Sequence, residues 1–271
     1  MSYRYEYKYP LIVLGLPLPG KINPYIVLVS KKKLITVNLE IDTSERTRIR
    51  ILGEPRPDWR LEIAIRSFVD AVSSRLEQGL DMTIEYEARE TSSLYTAGLY
   101  AILSHAIVKA IVEAGGYEMT DEEILEACKS IDSEAGTDYD YVYALREAAS
   151  KGRSLVYREG EESIELGNVN VRIELVGEEE VAEPLQEALE DPIASIIARL
   201  AGMIVVRSTQ MLRNGVEASD VLRRFARLEN ALYYAVYGIQ PPWENCKWAP
   251  SLKAGYGICL ESGRGDLIDF T

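Results

Sequence analysis

The sequence predicts an α+β chain of two lobes, on three observations. In each half strand-like runs come first and long helices follow, the order of α+β rather than alternating α/β chains. The opening "MSYRYEYKYP" sets Tyr3, Tyr5, Tyr7 and Tyr9 at period two opposite Arg4, Glu6 and Lys8, giving a strand one aromatic and one wet face. The pattern then turns from helix back to hairpin between residues 152 and 170, which sets the lobes at 1–160 and 161–271.

Element by element, "YIVLVS", "LITVNLEI" and "TRIRILG" read as three further strands. A helix runs from Pro57, a first-turn proline, to Gly79, with Leu61, Ile65, Phe68, Val69, Val72 and Leu76 as its buried stripe. "MTIEYEA" returns to period two with Met82, Ile84 and Tyr86 inward. "TSSLYTAGLYAILSHAIVKAIVEAGG" is a helix apolar all round in its first half, hence buried. Thr120 and Glu123 form a capping box for the next helix, which closes at Gly136. A tyrosine-rich helical segment, 138–151, precedes a hairpin region with turns at Glu159-Gly160 and Gly167-Asn168. Two long helices, Asp191 to Asn214 and Glu217 to Tyr237, and a late strand "YGICLES" complete the chain.

At 271 residues, 47% hydrophobic and 27% charged, the chain is globular with ample core. A net charge of −13 works against a nucleic-acid partner, because phosphate binding rests on a basic face. Lys31-Lys32-Lys33 and Arg223-Arg224 read as solvated element ends. Cys128, Cys246 and Cys259 show no CxxC spacing, which predicts a reducing compartment, no disulfide framework and no zinc site. The uncharged run Thr91 to Val108 has the length of a short membrane span, but its hydroxyls and His105 favour a buried helix. The expectation is a soluble cytoplasmic protein, possible as a homodimer; few Gln and Asn beside many Glu and Arg point to a thermophilic source.

Four motifs stand in a distinctive order. Pro19-Gly20-Lys21, with Ile22 and Asn23, lies between early strands; Thr91-Ser92-Ser93 opens the long buried helix; Gly136-Thr137-Asp138 precedes a helix; Ala254-Gly255-Tyr256-Gly257 comes near the C-terminus. Over nearly the whole chain this order resembles the GHMP kinase superfamily of galactokinases, homoserine kinases, mevalonate kinases and mevalonate diphosphate decarboxylases. The resemblance implies mixed sheets with helices packed on one side and a cleft between lobes. It also implies ATP and magnesium as cofactors and a small-molecule substrate whose hydroxyl receives phosphate.

What the resemblance implies for single residues stands beside a plainer reading of each. Lys21 would neutralise phosphate or lower a nearby acid's pKa; otherwise it is a solvated turn lysine. Asp138 would be the base that takes the substrate's proton, facing Lys21; otherwise Asp138 or Asp140 caps a helix. Glu126 would bind the metal, together with Ser93; otherwise it is an exposed helix residue. Ser92 and Ser93 would bind phosphate, or cap their helix. Gly255 and Gly257 would let backbone approach the nucleotide, or allow close strand packing. Arg89 would meet phosphate with its fork. The family's glycine loop is replaced by "EARE". A Glu90 carboxylate about 5 Å from phosphate costs roughly 3 kcal/mol at an effective dielectric near 20, so weak ATP binding is predicted. His105 reads as a core histidine, and Trp243 and Trp248 as packing under a proline-rich loop. Two functions follow: an ATP-dependent small-molecule kinase or related decarboxylase, or a degenerate member that binds a metabolite or protein partner without turnover.

Overall fold

The computed structural model describes the chain except residues 90, 92, 93, 168, 241, 242, 244, 253, 261, 262, 264 and 265, and gives only backbone at 177–181, 254 and 266. Its elements in chain order are β1 (Ser2–Leu14), β2 (Tyr25–Ser44), β3 (Arg48–Glu54), α1 (Trp59–Leu76), β4 (Gly79–Ala88), α2 (Thr96–Ala114), α3 (Asp121–Ala135), α4 (Asp140–Lys151), β5 (Leu155–Tyr157), β6 (Ile164–Glu165), β7 (Val171–Val181), α5 (Gln186–Leu189), α6 (Ile193–Arg213), α7 (Ala218–Tyr237), β8 (Cys246–Ser251), β9 (Ala254–Cys259) and β10 (Asp266–Phe270).

The strands form one mixed sheet in the order β3-β4-β2-β10-β7-β9-β8, with β1 and β5 also on β2, and β6 on β5. β3 runs parallel to β4, and the other pairs are antiparallel. The halves of the sheet meet where Phe270 of β10 pairs with Ser30 of β2. In β4, Met82, Ile84 and Tyr86 are buried while Glu85 and Glu87 are exposed, so this region is covered on one face.

Two strands expected separately, "YIVLVS" and "LITVNLEI", are one: β2 passes straight through Lys31–Lys33, which stay exposed. Opposite them β1 shifts register around Lys8 and Pro10, as a residue without an N–H requires. The Ser30 hydroxyl fills the gap, accepting the Tyr9 N–H and donating to the Lys32 carbonyl. Helix α1 starts later than Pro57 suggests, because the Asp58 carboxylate accepts the Arg60 N–H at 2.8 Å and caps it. Its stripe is buried except Leu76, which lies in the fraying last turn and is exposed. α3 has the Thr120–Glu123 capping box and the left-handed Gly136 stop, φ 71°. β8, β10 and the single-turn α5 have no counterpart among the elements expected from sequence.

One sequence expectation is overturned. Cys246 and Cys259 face each other across the β8–β9 ladder and form a disulfide. Strand register sets this pairing, and sequence spacing carries no trace of it. Cys128 is free and buried in α3, where loss of hydration pushes its thiol up to about 12.

Helices α2 and α6 are each long and apolar enough to cross a membrane by length and composition, yet 78% of the α2 stretch is buried inside the protein. At the centre of α2–α4, Arg146 is fully buried and holds Asp132 through two bonds of 2.7 and 3.2 Å. Ser104 accepts from the same guanidinium at 2.8 Å, and the Tyr100 hydroxyl donates to Asp132 at 2.7 Å. Thr137 joins through its hydroxyl. The Gly136–Asp138 turn is thereby fixed against the second turn of α2. His105 is the expected core residue: its Nδ1 shares a hydrogen with the Tyr7 hydroxyl at 2.9 Å, and burial lowers its pKa to about 3.

Candidate functional site

The Pro19–Lys21 turn hangs on apolar anchors. Leu16 and Leu18 are buried in a cluster with Tyr233, Val236, Ile239 and Trp248. Gly20, at φ 73°, makes the turn that a side chain would resist, and the Lys21 N–H returns to the Leu18 carbonyl at 3.1 Å. Asn23 is buried, its Nδ2 donating to the Leu16 carbonyl at 2.9 Å, so this motif residue braces the turn. The Lys21 ammonium donates to Asp191 at 3.1 Å and to Ser195 at 3.1 Å, at the start of α6. Ser195 also donates to Asp191 at 2.7 Å; that bond, then the lysine, holds the Asp191 carboxyl below its usual range. Lys21 therefore pairs with Asp191 in place of the expected Asp138, which is exposed on the turn before α4.

Part of the second motif, Ser92 and Ser93, falls outside the described residues together with Glu90, and so do the phosphate and metal roles expected of the two serines. The helix itself begins at Thr96, five residues after Thr91. Its first amides are already engaged by the chain. The Tyr9 hydroxyl accepts the Tyr95 N–H at 2.5 Å and donates to the Tyr95 carbonyl at 3.1 Å. Ser251, the last residue of β8, accepts the Ala97 N–H on its hydroxyl at 3.3 Å. Its carbonyl accepts the Tyr141 hydroxyl at 3.0 Å, which ties α4 to the same point. Around these bonds the Tyr95 ring meets Tyr256 edge-on at 5.4 Å, and Tyr25 meets Tyr141 at 6.5 Å. No pattern in the sequence singles out Tyr9 and Ser251, the residues that join the start of α2 to β1 and β8.

Gly255 is buried opposite Pro250, and a Cβ there would come within 3.0 Å of the Trp248 ring. Its lack of a side chain serves strand–ring packing. Gly257 lies buried opposite Trp248 itself. Trp248 belongs to the same apolar cluster as Leu16 and Leu18, which precede the Pro19–Lys21 turn. Arg89 is exposed at the end of β4, its N–H bonded to Leu34 and its guanidinium 3.9 Å from Glu6. Glu126 is exposed on α3 and accepts the Tyr143 hydroxyl at 2.9 Å.

Asp140, two residues beyond Asp138, has the tuned environment. Both its oxygens accept from the Tyr25 hydroxyl, at 3.0 and 3.1 Å, and one accepts the Tyr141 N–H at 2.8 Å. Burial outweighs these bonds and raises its pKa from 3.8 to about 6. A carboxyl so placed exchanges a proton near neutral pH. Deeper still, Lys247 of β8 and Glu229 of α7 form a buried ion pair; Lys247 also donates to the Val13 carbonyl and Glu229 accepts the Gly15 N–H. The pair clamps the end of β1 to α7.

A helix end that binds ATP phosphates needs free N–H groups aimed at the ligand. Among the described residues α2 offers Tyr95 and Ala97 amides that are already bonded, and no group of three or more acidic, histidine or cysteine side chains could hold a metal.

No protein-family model and no curated protein matches the chain. Solved structures do. The Legionella pneumophila mevalonate diphosphate decarboxylase superposes with a TM-score of 0.63 at 11% identity, over 98% of this chain and 100% of that one. The Methanococcus jannaschii mevalonate kinase gives 0.62 at 12%, over 96% and 90%. The Staphylococcus aureus mevalonate kinase gives 0.56 at 14%, over 99% and 89%. All three are GHMP superfamily structures matched over nearly their full length, and the chain therefore has the GHMP kinase fold.

Proposed function

We propose that this chain is a GHMP-fold binding protein for a small metabolite, without ATP-driven phosphoryl transfer at the α2 end. One observation carries the reading: the amides at the start of α2 are bonded to Tyr9 and Ser251 of the same chain. An ATP phosphate would have to displace the Tyr9 and Ser251 hydroxyls from these amides, exchanging bonds the chain already makes. For the homodimer reading, support comes from α6, where Ile193, Ile196, Leu200 and Met203 form an exposed apolar stripe.

Thermal unfolding with and without Mg-ATP tests it. A ligand at 100 times its dissociation constant stabilises by roughly 2.7 kcal/mol. The expected result is an unchanged transition at millimolar nucleotide; a clear upward shift overturns the reading.

A second reading, phosphoryl transfer to a metabolite hydroxyl, is favoured by Asp140. Its raised pKa suits proton abstraction, and it lies two residues beyond Asp138, where the resemblance places the base. ATP hydrolysis or transfer that is abolished by Asp140→Asn would establish it.

A further inference from the structure

Among the described residues, α2 and α6 are the two helices long and apolar enough to cross a membrane, and they are buried differently: 78% of the α2 stretch lies inside the protein but only 39% of the α6 stretch. Helix α6 buries one face, through Ala194, Ile197, Ala201, Ile204 and Val205. Its opposite face is apolar as well. Ile193, Ile196, Leu200, Met203 and Val206 are each between 45% and 59% exposed. The first four alternate steps of three and four residues, the spacing of a helix–helix seam. At 1.5 Å per residue the five span about 20 Å. Single exposed apolar residues are ordinary, whereas a continuous stripe marks a contact surface.

Charge indicates what covers it. The chain has a net charge of −13, yet α6 carries three arginines, Arg199, Arg207 and Arg213, and no acid. None of the three makes an ion pair among the described residues, and Arg207 reaches only Gln210, at 3.4 Å. Just before the helix stand Glu190 and Asp191, both exposed. Asp191 is held by Lys21, and Glu190 has no ion pair among the described residues. The face is therefore acidic at its N-terminal end and basic at its C-terminal end. Two copies packed parallel set acid on acid and arginine on arginine. Packed antiparallel about a two-fold axis, each acidic end meets the other copy's basic end, and the helix dipoles oppose. Arg199 stands at the margin of the stripe, exposed, where its long stem can carry the guanidinium to solvent. A lipid surface fits less well, because anionic headgroups would face Glu190, Asp191 and the negative charge of the whole chain.

We propose that α6 is the seam of a homodimer, packed antiparallel on α6 of a second copy about a two-fold axis near Leu200, with Glu190 and Asp191 of each copy beside Arg207 and Arg213 of the other. The seam rests on the homodimer reading above and adds its surface and its orientation. It ends at Asp191, the partner of Lys21, so pairing bears on the turn of the candidate site. Five half-exposed side chains cover less than the roughly 800 Å² per partner of a standard interface, which makes the dimer weak and concentration-dependent.

Sedimentation across micromolar concentrations tests it. The wild type is expected to pass from monomer to dimer. Leu200→Glu, at an exposed position, should keep the chain monomeric with an unchanged circular dichroism spectrum and unfolding curve. Glu190→Arg and Arg207→Glu should each weaken the dimer roughly tenfold, and the double variant, which exchanges the charges, should recover most of the wild-type affinity. A wild type that stays monomeric overturns the seam and the homodimer reading together. A dimer indifferent to Leu200→Glu, or one that the charge exchange fails to restore, overturns the seam and leaves a dimer formed in another way. A monomer that floats with vesicles of phosphatidylcholine and phosphatidylglycerol makes the α6 face a lipid surface and overturns both.

Discussion

The Tyr9 hydroxyl lies 2.5 Å from the Tyr95 amide nitrogen and 3.1 Å from the Tyr95 carbonyl oxygen, so one side chain of β1 closes both backbone groups at the threshold of α2. Both tyrosines are fully buried. Tyr9→Phe removes the hydroxyl that accepts the buried Tyr95 N–H, while the Tyr95 carbonyl keeps the Leu99 N–H at 3.1 Å. The expected loss is about 1–3 kcal/mol of folding stability, read from the urea midpoint. The same variant should bind Mg-ATP no better if α2 remains closed by Ser251, and calorimetry checks this directly.

Lys21 and Asp191 form an exposed ion pair, with Ser195 as a third member. Such pairs contribute about 0–1 kcal/mol, because solvent and salt screen them and two long side chains must be held still. Lys21→Met should therefore lower stability by less than about 1 kcal/mol. Raising the salt should erase the difference from wild type. Denaturation curves at low and high ionic strength measure it, and a large salt-independent loss would show that Lys21 does more than tether the turn to α6.

Much of the fold is legible in the sequence because hydrophobic period and caps act locally. The alternation of Tyr3 to Tyr9, the stripe of α1 and the Thr120–Glu123 box all depend on residues a turn or two apart. Long-range partners are not legible. Asp191 meets Lys21 from 170 residues away, and Ser251 meets Ala97 from 154. Neither serine nor aspartate has a local pattern that announces such a partner. Gly136-Thr137-Asp138 points to Asp138, yet burial, which tunes Asp140 and leaves Asp138 exposed, is a property of packing and not of spacing.

Asp140 makes stability depend on pH in a defined direction. Its carboxyl titrates at 3.8 unperturbed and about 6 when folded. Between those values the folded chain keeps a proton that the unfolded chain has lost, so stability falls as pH rises through the window. The full penalty, up to about 3 kcal/mol, is present above the folded value. Asp140→Asn keeps an acceptor for the Tyr25 hydroxyl and removes the titration. The difference in unfolding free energy between wild type and variant should change in the variant's favour from about pH 4 to pH 7. Other carboxylates cancel in that difference, which urea titrations across the range supply. A difference that stays flat would place the Asp140 pKa near its unperturbed value.

The Cys246–Cys259 disulfide ties the two strands that carry Ser251 and Gly255, and it closes a loop of sequence separation 13. A cross-link of that span removes loop-closure entropy from the unfolded chain worth about 3 kcal/mol in the chain-entropy model. Reduction should lower the guanidinium midpoint of the wild type by a corresponding amount. Cys246→Ser and Cys259→Ser should each show the lowered midpoint already, and reductant should move neither further. Cys128 gives no competing effect, since its buried thiol, held up near 12, stays protonated and poorly reactive. Because β8 and β9 set where Ser251 meets α2, loosening them should also speed amide hydrogen exchange at Ala97. Exchange at Ala97 that is unchanged on reduction would show that the β8–β9 ladder holds Ser251 in place without its disulfide.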